Sequence, residues 1–171
     1  MMKMLAALLA AVLAVSGCAT APAVPKGYTG PIATIKDSFT SLDLSAANIF
    51  YLNKLDGREI DDSLGATRGA SYGHGALLTP VALERKVPAQ AATFHIIGRT
   101  THAAPIQSMT HAEYQVVGDV HFTPQADKIY VVCGELDKSH SVVWIEDQQS
   151  HEVMDKKIEI QGDAHLGFFE K

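Results

Sequence analysis

The stretch Glu113-Tyr114-Gln115-Val116-Val117-Gly118-Asp119-Val120-His121-Phe122 decides the fold class. Successive side chains on a strand point to opposite faces. Tyr114, Val116, Gly118, Val120 and Phe122 therefore share one face, and Gln115, Val117, Asp119 and His121 the other. Downstream, residues 129–133 and 141–146 are nearly continuous apolar runs, the pattern of fully buried central strands. Residues 157–160 and 166–169 add shorter runs, with Val153 before them. Upstream, residues 32–35, 48–52 and 93–97 are short segments rich in β-branched and aromatic residues. The second of these leads to Asp56-Gly57, a strong hairpin signal. Residues 77–83 suggest a further strand, demoted to an edge or bulge by Pro80.

Helical signals are few. Residues 42–47 allow a turn or two, and nothing else sustains a 3.6-residue period over ten residues. The expectation is an all-β fold with little helix. Its seven to nine short strands form an antiparallel β-sandwich, immunoglobulin-like or similar, with a barrel as the other closure. Heptads and a long internal repeat are both absent.

The 171 residues suit one domain, and an apolar fraction of 47% suffices for a real core. With 14 basic and 19 acidic side chains the chain carries −5, which excludes an electrostatic nucleic-acid binder. Two cysteines, Cys18 and Cys133, exclude a disulfide-dense scaffold and a four-cysteine zinc module.

The apolar residues are unevenly spread. Lys3 precedes an unbroken apolar run over residues 5–15. Eleven helical residues span roughly 16 Å, too short for a hydrocarbon core of about 30 Å. A charged start, a short apolar centre and a small-residue end describe a secretory signal peptide over residues 1–17. The segment Val15-Ser16-Gly17-Cys18 resembles the lipobox of bacterial lipoproteins. That resemblance implies cleavage before Cys18 and lipid attachment at its sulfur. It also implies a membrane as partner through the N-terminal lipid. Ala19, in place of an aspartate, points by analogy to an outer membrane and its periplasmic side. Loss of residues 1–17 removes only Lys3, so the net charge becomes −6. Residues 18–31, with three prolines and two glycines, read as a lipidated tether ahead of a domain over residues 32–171.

A weaker resemblance covers roughly residues 48–160. It rests on Val120-His121-Phe122-Thr123-Pro124, Lys128-Ile129-Tyr130-Val131-Val132 and Val142-Val143-Trp144-Ile145-Glu146-Asp147. Asp56-Gly57-Arg58-Glu59-Ile60 and Arg85-Lys86-Val87-Pro88-Ala89 fit the same layout. The pattern is similar to small periplasmic lipoprotein domains, in which a strand ends in an acidic residue before a tight hairpin. It implies a fold more than an activity.

Eight histidines invite a test for copper or zinc. None has the local spacing of a metal motif, the nearest pair being His95 and His102, so no metal ligand and no cofactor is assigned. The loop Arg68-Gly69-Ala70-Ser71-Tyr72-Gly73-His74-Gly75 is the preferred place for a ligand or partner contact. Arg68 supplies charge there, Tyr72 a stacking face and His74 a proton-transfer group. The bland reading of the same loop is a long flexible connection with Tyr72 tucked against the sheets. No nucleophile elbow occurs, and Asp61-Asp62 and Glu146-Asp147 read as turn residues, so no catalytic residue is assigned. Trp144 and Cys133 read as core residues of strands. The expectation is a non-enzymatic binding or accessory module that recognises a protein or other envelope component. The alternatives are a histidine-based copper or zinc lipoprotein and an envelope hydrolase.

Overall fold

A computed structural model describes residues 21–167. The signal segment and Cys18 lie outside the described residues, as do residues 168–171. The described residues fold as ten strands and two short helices. They are β1 (Ile32–Lys36), β2 (Ser38–Ser41), β3 (Ala46–Leu55), β4 (Arg58–Glu59), α1 (Ser63–Ser71), β5 (Glu84–Pro88), β6 (Ala92–His102), α2 (Pro105–Thr110), β7 (Gln115–Phe122), β8 (Ile129–Leu136), β9 (His140–Asp147) and β10 (Ile158–Gln161).

The strands form two sheets. One has the order β10-β9-β8-β1-β5, the other β2-β3-β6-β7 with β4 paired to β3. The first sheet is mixed, not wholly antiparallel, because β1 runs parallel to β8 with Ile35 opposite Tyr130. One core fills the space between the sheets. Ile35, Leu52, Phe94, Ile96, Val116, Val120, Val132 and Ile145 are completely or almost completely buried in it. The alternation of β7 is realised, since Val116 and Val120 are buried while Val117, Asp119 and His121 are exposed. The Phe50 ring reaches across from β3 to β8, where Gly134 admits it. A Cβ added at Gly134 would meet that ring and would lie 2.6 Å from the Val142 carbonyl oxygen. The hairpin signal is also realised: Asp56 and Gly57 take φ of 50° and 75° between β3 and β4.

Four expectations are corrected. Residues 42–47 form no helix, because Asp43 accepts from the Ser45 amide at 2.6 Å and from its hydroxyl at 2.9 Å, making a bend that opens β3. The connection before β5 is not merely flexible, since it contains α1. Residues 77–83 lie outside both sheets, against α1, to which the alternate amides of Thr79, Val81 and Leu83 donate. Trp144 and Cys133 face outward from the first sheet and are only half-buried, so β8 contributes alternate residues to the core, whereas β9 buries Ser141, Val142 and Val143 in succession before it alternates.

Residues 21–31 form no regular element and lie along the body. Ala23 is buried in the core, the Ala21 amide donates to the Glu59 carbonyl at 3.2 Å, and Arg58 donates to the Ala23 carbonyl at 3.4 Å.

Candidate interaction surface

Helix α1 positions the residues singled out in the sequence. Asp62 caps its N-terminus, accepting from the Gly65 amide at 2.7 Å. The helix covers the outer face of β3, where Leu64 packs against Ala47, Ile49 and Tyr51. Burial comes first among the causes that push the Tyr51 phenol upward, and the nearby Asp62 adds to it.

The inner edge of α1 carries hydroxyls. Ser63, Thr67 and Ser71 are buried and accept from the backbone amides of Leu83, Val81 and Thr79, each at 2.9 Å. Steps of four helical residues advance about 6 Å, and steps of two extended residues about 6.6 Å. The two periods match, so three side chains substitute for a missing β-ladder.

Arg68 lies in the last turn of α1, Tyr72 is its C-cap, and His74 follows in the turn beyond. All three are exposed, Tyr72 to 89%, so its ring is not tucked against the sheets. They belong to one short segment, but no contact joins their side chains into a pocket. What the fold brings beside them is apolar. Leu42, Leu44, Leu77, Ile106 and Met109 are all more than half exposed. The three segments that carry them are tied together: the Leu78 amide donates to the Leu44 carbonyl at 2.9 Å, and the Ala103 amide to the Ser45 carbonyl at 2.8 Å. Helix α2 buries none of its residues. Tyr72 and these five side chains are thus exposed on segments tied to one another at the end of the molecule where β3 begins and β6 ends, referred to below as the apolar rim. Sequence reasoning missed it because lone apolar residues in turn segments carry no periodic signal. The available cue was their presence among Asp, Ser and Gly, where burial does not account for them.

Most of the histidines meet separate partners, while the His102 and His111 rings lie 5.4 Å apart. His95 meets Asp119 at 2.6 Å, His102 meets Glu113 at 3.2 Å, His151 meets Glu146 at 2.8 Å, and His121 meets the Thr93 hydroxyl at 3.0 Å. Among the described residues, no three His, Cys, Asp or Glu side chains gather so as to hold a metal ion. The carboxylate pairs act locally. Asp62 caps α1, and Asp147 binds the turn after β9 through the amides of Gln149 and Ser150 at 2.9 and 3.0 Å. On the outer face of the first sheet, Lys157 lies 4.0 Å from the centre of the Trp144 ring, whose Nε1 donates to Glu146 at 2.8 Å. Burial, and then the Glu146 carboxylate, push the neighbouring Cys133 thiol up to about 11, the opposite of an activated nucleophile. Two open clefts, of about 440 and 460 Å³, lie at the other end of the sheets, one beside Lys128 and Asp147 and one beside Asp56 and Thr93. Lys128 and Asp147 close on each other across the first at 3.0 Å.

No protein-family model, no curated protein and no solved structure matches this chain. No described helix is long and apolar enough to cross a membrane.

Proposed function

We propose that this chain is a lipoprotein anchored through Cys18 to the outer membrane, where its folded domain is a non-enzymatic binding module for an envelope protein. The two sheets are read as the layers of a β-sandwich, immunoglobulin-like or similar, and the Phe50 ring bridging them supports that reading. The observation that carries the function is the apolar rim of Leu42, Leu44, Tyr72, Leu77, Ile106 and Met109, beside Arg68 and His74. Large exposed apolar clusters mark contact surfaces more often than they mark monomer surface, and aromatic and methionine side chains are enriched where proteins meet.

Two measurements test the reading. Cys18→Ala should move the full-length protein from the membrane to the released fraction of a cell lysate, and wild-type protein found in the released fraction refutes the anchor. Crosslinking in intact envelopes should join wild-type protein to one identifiable protein. Leu44→Asp and Ile106→Asp, both at exposed positions, should remain folded by circular dichroism and reduce that adduct at least tenfold. An adduct that persists undiminished in both variants removes the rim as the contact surface.

A further inference from the structure

The two ends of the fold differ chemically, and the chain enters at only one of them. The end opposite the rim is built from the Asp56-Gly57 turn, residues 89–92, residues 123–128 and the turn after β9. Residues 21–31 lie beside it. We infer that this end is the surface the protein rests against phospholipid headgroups, with the rim held away from the bilayer. The inference rests on the proposed anchoring through Cys18.

The length of the lead is the first reason. Ala21 is fixed to β4 by its bond to Glu59, and the buried Ala23 and the Arg58 contact hold the next residues in place. Only Ala19 and Thr20 separate Cys18 from Ala21 in the sequence. Three residue steps reach about 10 Å at full extension, whatever conformation they take. A headgroup layer occupies roughly 5–7 Å on each side of the hydrocarbon core. A lipid seated in that core therefore leaves the Asp56 end within a few ångströms of the headgroups.

Strand β3 supplies the second reason. It runs from Ala46, at the rim, to Leu55, beside the point of entry. Ten residues at about 3.3 Å each separate the two ends by roughly 30 Å, three times the reach of the lead. With the domain standing on its entry end, the rim is therefore carried about 30 Å away from the bilayer that holds Cys18.

Surface chemistry is the third. Lys26, Asp56, Arg58, Glu59, Asp127 and Lys128 are all exposed at the entry end, a mixture of both signs. The large exposed apolar side chains among the described residues all lie elsewhere. Such a surface suits contact with headgroups that carry ammonium and phosphate together, and it lacks the apolar anchors of an inserting surface. The acyl chains on Cys18 supply the insertion, and the protein end supplies the stop.

The test uses full-length lipidated protein in vesicles of phosphatidylethanolamine and phosphatidylglycerol that include a headgroup-nitroxide lipid. In a Cys133→Ala background, one fluorophore is attached at Ala126→Cys or Lys26→Cys, at the entry end, or at Met109→Cys, on the rim. Both entry-end labels should be quenched at least fivefold more than the rim label. Protein that floats with the vesicles but shows equal or stronger quenching at 109 overturns the orientation while leaving the anchor standing. Protein that fails to float with the vesicles overturns the anchor and the orientation together.

Discussion

Asp37, between β1 and β2, is the residue on which the two sheets and α1 converge. Its side chain is fully buried and accepts four hydrogen bonds: from the Leu52 amide at 3.0 Å, the Ser63 hydroxyl at 2.5 Å, and the two Arg85 terminal nitrogens at 2.9 and 2.7 Å. Burial pushes the carboxyl upward, and the Arg85 fork is the largest influence opposing it. Arg85→Ala leaves an uncompensated buried carboxylate and should cost about 3–5 kcal/mol in urea unfolding. Arg85→Lys keeps the charge without the fork and should recover only part of that. A loss for Arg85→Ala below about 1 kcal/mol would show that Asp37 is not held this way. At the end of β9, the Ser150 amide, the Lys128 ammonium and the Gln149 amide hold the Asp147 carboxyl well below the usual carboxylate range. The unfolded chain takes up the Asp147 proton near its ordinary value of about 3.9, and the folded chain only at lower pH. Stability from this group is therefore complete above the unfolded value and is lost progressively as pH falls below it. Asp147→Asn should lower thermal stability at pH 7 and flatten its decline between pH 5 and pH 2. An acid limb as steep in the variant as in wild type would count against it.

At the scale of elements, the pairing of α1 with residues 77–83 is the feature that amphipathic patterning misses. A helix buried through Leu64 and three hydroxyl residues shows no apolar stripe, and Gly65 and Gly69 lower its intrinsic propensity further. The extended partner keeps β-like spacing, which is why residues 77–83 suggest a strand and Pro80 suggests an edge. Thr67 is completely buried at the middle of this ladder. Thr67→Val preserves its shape but strands the Val81 amide, and should cost about 1–3 kcal/mol by thermal unfolding. Thr67→Ser should be milder. A larger loss for Thr67→Ser than for Thr67→Val would mean that the methyl group, not the acceptor, matters there. The strands themselves were more legible. Residues 113–122, 48–52 and 93–97 announced β7, β3 and β6 through alternation and β-branched content. Strand β8 misled in one respect, because Cys133 and Val131 read as core while their outer face meets Trp144 and solvent.

For the whole molecule, chain direction joins the two proposals. β3 begins at the rim and ends beside the entry of the chain, so one strand separates a candidate contact surface from a candidate membrane surface. Legible in the sequence were a mostly β chain with a real core and the Asp56-Gly57 hairpin, together with the Val15-Ser16-Gly17-Cys18 segment on which the proposed anchor rests. These are legible because periodicity, turn chemistry and charge are local properties of the chain. Arg68, Tyr72 and His74 read in the sequence as contact residues of one loop, whereas Arg68 belongs to the last turn of α1. The fold alone ties the segments of Leu44, Leu77 and Ile106 to one another, sets Asp37 against Arg85, runs β1 parallel to β8, and docks the lead beside Glu59. Each of these joins segments distant in sequence, and no local pattern states which backbone groups will find one another once the sheets close over their core.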